Sequence, residues 1–312
     1  MTLLSFNKKI IQSALLSATL MVAPIASMAA DYMPFVLGST VSSGSLSSVV
    51  NDSKAALEKN GFKVVGSYSP NSGVEVLVVT NPALKAMASK SKHGGFGAME
   101  RISISQKNGQ VEVSYTNPSY LWNVYRMKGD IAPIQTAMES ALGAQKEFGA
   151  DEGISGDDLR EYHYKMMMPY FDDEVELAEY DSHAEAIAAV EAGLKAHRGG
   201  AKKVYRIDIP GKKMSVFGVA LDYKGASDKI ISHAIDNKTN SHAAHFPYEI
   251  LVVDDEVIAL DGKFRIAINW PHLSMMGAGS FMSISNAPDD ITEALEAVAK
   301  NEKIEAESDS DL

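Results

Sequence analysis

The feature that most constrains what this chain can fold into is that it repeats itself. A stretch beginning "YMPFVLGSTVSSGSLSSVVNDSKAALEKNGFKVVGSYS" returns as "MMMPYFDDEVELAEYDSHAEAIAAVEAGLKAHRGGAKKVYRIDI". Each copy carries a Met-Pro-aromatic triplet, Met33-Pro34-Phe35 and then Met168-Pro169-Tyr170, ahead of a helical pattern and a β-rich run. Further on, "AMERISISQKNGQVEVSYTNPSYL" is answered by "PYEILVVDDEVIALDGKFRIAINWPHL". The offset grows from 135 at the triplets to 149 at Glu100 and Glu249 and to 153 at Pro118 and Pro271, which marks loop insertions rather than reordering. Self-similarity that keeps its order over most of the chain points to two similar domains in tandem.

Local patterning agrees. Val49, Ala56 and Leu57 in the first copy, and Ala186, Ile187, Val190 and Leu194 in the second, fall at helical spacing, with Gly61 and Gly199-Gly200 as stops. "GVEVLVVT" and "KMSVFGVAL" read as strands. "RISISQKNGQVEVSYT" and "EILVVDDEVIALDGKFRIAIN" read as hairpins, turning at Asn108-Gly109 and near Asp261-Gly262. Each copy closes with a helix, "IAPIQTAMESALGAQKEFG" or "DDITEALEAVAKNEK", the latter with Asp289 or Asp290 as its N-cap. The expected class is α+β, two tandem domains that are each an antiparallel-rich sheet packed with helices. Residues 31–148 form the first domain, the Gly- and Asp-rich residues 149–161 a linker, and residues 162–300 a divergent second domain.

The ends carry their own information. Lys8 and Lys9 precede an apolar run that leads to small residues at Ser27 and Ala29, so residues 1–29 read as a secretory signal peptide. That run is broken by polar residues and Pro24 and falls short of the ~20 residues a membrane span needs. The expected location is therefore periplasmic or secreted, with no integral membrane segment after cleavage. Residues 301–312 are acidic and read as a solvated tail. The chain has no cysteine, which excludes a disulfide scaffold, a thiol enzyme and a thiolate metal site. Its net charge of −11, or −13 without Lys8 and Lys9, argues against nucleic acid and anionic lipid as partners.

On "SKAALEKNGFKVV", "VEVLVVTNPAL" and "ERISISQKNGQVEVSYTNPSYL", the first copy resembles the domain of unknown function 302 family, a group of small α+β domains. The most specific residues are Asn81-Pro82-Ala83-Leu84 and Ser114-Tyr115-Thr116-Asn117-Pro118. The second copy is a divergent version that keeps Asn269 and Pro271 but has Asp222-Tyr223-Lys224-Gly225 where Asn-Pro-Ala-Leu stood. The resemblance implies a fold and no activity. If single-domain relatives pair, the tandem is a covalent pseudo-dimer.

Two clusters are candidate sites. In "SHAAHFPYE", residues 241–249, His242, His245 and Glu249 lie close in sequence, and the first copy's "HGGFGAME" places His93 and Glu100 opposite His242 and Glu249. Two imidazoles and a carboxylate suit Zn²⁺ or Cu²⁺. Against this, the spacing is no recognised zinc signature, and Pro247 breaks a continuous helix. A polar surface loop without ligand is the alternative. The second cluster joins His163 to Met166, Met167 and Met168, and His272 to Met275, Met276 and Met282; soft thioethers beside imidazole suit Cu(I), whereas methionine also fills irregular cores. The glycine-rich "HGGFG" reads as a tight turn. No nucleophile elbow, phosphate loop, dinucleotide fingerprint or His-Glu-x-x-His helix is present. The expected function is a non-catalytic exported binding protein for a metal ion or small ligand. The alternatives are a metal-dependent periplasmic hydrolase using His242, His245 and Glu249, and an interaction module without ligand.

Overall fold

The computed structural model describes residues 30–107, 109–236 and 239–304. The expected signal peptide, Asn108 of the first hairpin turn and the tail beyond residue 304 lie outside the described residues. The first half runs β1 (Asp31–Tyr32), β2 (Phe35–Val41), α1 (Leu46–Lys59), β3 (Lys63–Tyr68), β4 (Val74–Thr80) and α2 (Pro82–Ala88). It continues through a 3-10 turn (Gly94–Gly97) to β5 (Glu100–Lys107), β6 (Gln110–Thr116), α3 (Pro118–Val124), α4 (Ala132–Leu142) and β7 (Lys146–Phe148). β8 (Ile154–Ser155) and α5 (Gly156–Arg160) follow, then β9 (Val175–Glu179), α6 (His183–Lys195), β10 (Ala201–Asp208), β11 (Met214–Leu221) and α7 (Asp228–Ile235). After a further 3-10 turn (Ala243–His245) come β12 (Tyr248–Val253), β13 (Glu256–Ala259), α8 (Gly262–Ala267) and α9 (Ala287–Lys300).

The strands form two antiparallel sheets, ordered β3-β4-β5-β6-β2-β7 and β10-β11-β12-β13-β9, with β1 and β8 paired separately. The fold is α+β with two sheet-containing domains. Without β7 the two orders correspond strand for strand. The first helix of each half starts for the same reason: Ser45 caps α1 by accepting from the Ser48 amide, and Ser182 caps α6 by accepting from the Glu185 amide. Buried Val49, Val50 and Leu57, and Ala186, Val190 and Leu194, form the inward stripes of these helices.

Several sequence expectations need correction. Residues 149–161 are not an open connection: Ser155 caps α5, β8 pairs with β1, and Leu159 is buried in the first core. The second hairpin turns at Asp254-Asp255, with Asp254 at φ 52° and Val253 paired to Glu256. Asp261 instead caps α8 by accepting from the Lys263 amide, so "GKFRIA" is helix rather than strand. The cap of α9 is Asn286, and Asp289 and Asp290 stand in its first turn.

These corrections change which positions of the two halves correspond. Asn117 caps α3 as Asp261 caps α8, so Asn117 corresponds to Asp261 and not to Asn269. Val36 pairs with Tyr115 and Val175 with Ala259, each two residues before its cap. Phe35 thus precedes its strand position by one residue and Tyr170 by five, and the Met-Pro-aromatic triplets are not equivalent.

The register across the sheets is more informative. Gly66, Val78 and Arg101 form one row across β3, β4 and β5, directly after a bulge in β3. Tyr205, Gly218 and Glu249 form the matching row across β10, β11 and β12, directly after a bulge in β10. Arg101, not Glu100, is therefore the counterpart of Glu249.

These two rows meet. A Cβ on Gly66 would stand 2.5 Å from the Val204 carbonyl oxygen and 3.1 Å from Tyr205 Cβ; within the second row, one on Gly218 would stand 2.0 Å from Tyr205 Cε1. Two edge strands that would otherwise present unpaired backbone are covered by each other. The 3-10 turns cross over reciprocally. Gly95 lies against Leu251 of the second sheet, and the Ala244 carbonyl accepts from Arg101 Nε of the first at 3.0 Å. Close approach, not left-handed backbone, is what requires the glycines of "HGGFG": a Cβ on Gly94 would lie 2.3 Å from the Ala88 carbonyl oxygen, and only His93 there has positive φ.

Along β11 and β12 the faces alternate as pleating requires. Val216 and Leu251 join a core shared with the first sheet, while Phe217, Val219, Ile250 and Val252 pack with α6 and α9 in a second core.

Candidate functional site

The turn Ala243–His245 carries the histidine cluster across the first sheet, and there His245 is fully buried. Its Nδ1 lies 2.9 Å from Arg265 Nη1 and its Nε2 lies 3.0 Å from the Tyr248 hydroxyl. Arginine can only donate, so Nδ1 accepts and the ring proton sits on Nε2, donating to Tyr248. Burial, with Arg265 and Arg101 alongside, pushes the His245 pKa well below its usual range and keeps the ring neutral.

Glu249 completes the network. Its carboxylate accepts from Arg101 Nη1 of the first domain, and from Arg265 Nε of its own domain at 2.9 Å. Arg265 also donates to the backbone carbonyls of His245 and Pro247, and all three charged side chains are at most 2% exposed. The metal reading of His242, His245 and Glu249 is corrected on this ground. Both nitrogens of His245 and both oxygens of Glu249 are committed, and two guanidinium cations stand where Zn²⁺ or Cu²⁺ would have to enter.

The remaining candidates are dispersed. His93 Nε2 stands 3.6 Å from Glu174, with its pKa lowered by burial. The His163 ring packs on Tyr170 at 4.5 Å, and Met168 is half-buried in the adjoining loop. Glu100, expected opposite Glu249, is instead buried in the first domain, where it accepts from the Thr116 hydroxyl at 2.6 Å; burial pushes its pKa up to about 7. His272, Met275 and Met276 line an open groove, and Met166 and Met167 are exposed beside it on the loop of Tyr164 and Lys165. Among the described residues, no group of three or more His, Asp or Glu side chains is placed to hold a metal ion.

What the fold does build is a pocket. It has a volume of about 180 Å³ and lies where residues 148–151, leaving the first domain, pass Thr239, Asn240, His242, Trp270, His272 and Leu273 of the second. His242 forms its aromatic floor. The imidazole stacks on Trp270 at 5.1 Å and 23°, and meets Phe148 at 5.6 Å and Phe35 at 5.0 Å. Nδ1–H donates to the Asn269 carbonyl at 3.1 Å and orients the ring, and the His242 backbone amide donates to Asp236 at 2.9 Å and fixes the turn that carries it.

The rim is polar. The Asp151 amide donates to His272 Nδ1 at 3.0 Å, and Asn240 Nδ2 reaches Glu112 of the first sheet at 3.3 Å. Sequence reading named His242 and His272 for a different role and passed over Phe148, Asp151, Trp270, Arg101 and Arg265. The signal for the arginines was partial: Arg265 stands within the apolar run "FRIAI", whereas Arg101 follows Glu100 at the head of "RISI".

Comparison with known proteins adds little. No protein-family model and no curated protein matches the chain. A solved structure described as an uncharacterized conserved protein DUF302 from Bacillus stearothermophilus is similar to it at 19% identity and a TM-score of 0.30, over 33% of this chain and 92% of that one.

Proposed function

We propose that the chain is a non-catalytic binding protein, exported after loss of residues 1–29, that holds a small ring-bearing molecule in the pocket at the domain junction. The observation that carries this reading is the wall of Phe148, His242 and Trp270 around a space of about 180 Å³. An apolar cavity of about 150 Å³ accommodates benzene, so this pocket has room for one ring and a short substituent. The aromatic floor offers stacking and the rim offers hydrogen bonds, which are means of holding a ring rather than of transforming it.

The two halves are read as copies of a domain like that of the domain of unknown function 302 family, fused into a covalent pseudo-dimer. The support is reciprocity. At its axis a two-fold interface places equivalent positions against each other, and Arg101 and Glu249, equivalent in register, are each other's partners. Metal and metal-dependent hydrolysis form no part of the proposal.

Thermal denaturation with millimolar phenol, benzylamine or phenylacetate tests the pocket. A saturable rise in Tm with at least one of them, lost in W270L, supports binding there. No rise with any of the three, or a rise that survives W270L, rejects it.

A further inference from the structure

Among the described residues, five methionines are buried, five are exposed, and Met33 and Met168 lie between. Met87, Met99, Met127, Met138 and Met214 are at most 7% exposed and pack in the shared core. Met166, Met167, Met276 and Met282 are 84%, 95%, 78% and 61% exposed, and Met275 is 39% exposed. Among the described residues the five exposed methionines sit on two segments, the loop of Met166 and Met167 and the loop of Met275 and Met276 with the 3-10 turn of Met282 that follows it, and the structure ties these together. The Tyr164 hydroxyl donates to the Leu273 carbonyl, and the Tyr164 ring packs on Phe281 at 5.0 Å. Within the second segment, the Met282 amide donates to the Met275 carbonyl at 3.3 Å. The groove between the loops is lined by Tyr162, Tyr164 and Lys165 on one side and by His272, Met275 and Met276 on the other.

We infer that these five methionines form an oxidisable face, a modification site for hydrogen peroxide. Two physical facts carry the inference. The chain has no cysteine, so thioethers are its softest nucleophiles, and exposure decides which of them an oxidant meets first. None of the five belongs to either core, so their conversion leaves the packing of both domains intact.

The step is oxygen-atom transfer. The thioether sulfur attacks one peroxide oxygen, the O–O bond breaks, an S–O bond forms, and the second oxygen leaves as water. Sulfur loses two electrons and peroxide gains them. Each sulfoxide replaces an apolar methyl thioether by a polar group, so the methionine side of a groove that already carries Lys165 and His272 becomes polar as well. The change is confined to the groove and its immediate edge.

The test is a peroxide time course on the native full chain, quenched, digested and read residue by residue by mass spectrometry, with circular dichroism on the same samples. Met166, Met167, Met275, Met276 and Met282 are expected to oxidise at least about tenfold faster than the five core methionines. Tm should stay unchanged once those five sites are converted. Chain unfolded in urea should oxidise all its methionines at similar rates, and a variant with leucine at the five positions should take up five fewer oxygen atoms in the native state. Core methionines keeping pace in the native chain would overturn the inference. So would a collapse of Tm when only the five exposed sites carry oxygen.

Discussion

Replacing Glu249 by leucine removes one carboxylate and leaves two guanidinium groups buried side by side. Arg101 and Arg265 are 0% and 2% exposed, and neither can lose its proton in the protein range. Breaking a buried ion pair from one side costs about 3–5 kcal/mol, because the surviving charge stays desolvated. At about 2.1 cal/mol/K of unfolding entropy per residue over ~280 residues, that is a fall in Tm of roughly 5–9 °C. Urea denaturation followed by circular dichroism measures the loss directly. The triple variant R101M/E249L/R265M should regain part of it, since replacing a whole buried ion cluster by apolar groups is close to neutral. Recovery is incomplete because the carbonyls of Ala244, His245 and Pro247 then lose their donors. The triad spans both domains, so E249L should also separate their unfolding into two transitions. If E249L unfolds within about 1 kcal/mol of the parent in a single transition, the triad is not what joins the domains.

Three further outcomes are expected. Asp228 accepts from Tyr68 and the Leu221 amide through one oxygen while the other is buried without a partner, and burial pushes its pKa up to about 8. A carboxyl that stays protonated in the fold gives stability present at acid pH and lost as pH rises through the folded pKa, at about 1.4 kcal/mol per pH unit. Stability should therefore fall between about pH 4 and pH 8, and D228N should flatten that slope in urea titrations; an unchanged slope counts against a neutral Asp228. His245 acts in the opposite sense: neutral in the fold, it withdraws stability as pH drops below about 6.5, and H245Q should reduce that acid-side loss. G218A puts a methyl group into the Tyr205 ring and should cost about 1–3 kcal/mol, most of it recovered in G218A/Y205L if the clash lies where register places it.

The α+β class with two sheet-containing domains was legible because helical spacing and alternating strands write themselves locally: Val49 and Leu57, Ala186, Val190 and Leu194, "VEVLVVT" and "SVFGVAL" need only their neighbours. Asp261-Gly262 misled because the same dipeptide serves as a hairpin turn or as a helix cap with its first residue, and the choice was made by Asp254-Asp255 closing the hairpin first. The histidine cluster misled for a different reason. Sequence displays donors such as His245 and Glu249 but not what reaches them, and Arg101 arrives from 148 residues away. The pocket was invisible for the same cause, since Phe148 and Trp270 become neighbours of His242 only when the first domain's last strand meets the second domain's loop.

The two tryptophans provide the most direct check on the junction pocket. In a ¹⁵N-labelled chain, Trp122 and Trp270 each give an indole N–H resonance that W122F assigns. Titration with benzylamine, favoured over phenylacetate because Asp151 is the carboxylate on the rim, should move the Trp270 signal saturably and leave that of Trp122 in place. A Trp270 resonance that stays still with benzylamine, phenol and phenylacetate alike, or that moves only together with Trp122, would contradict a ligand site between the domains.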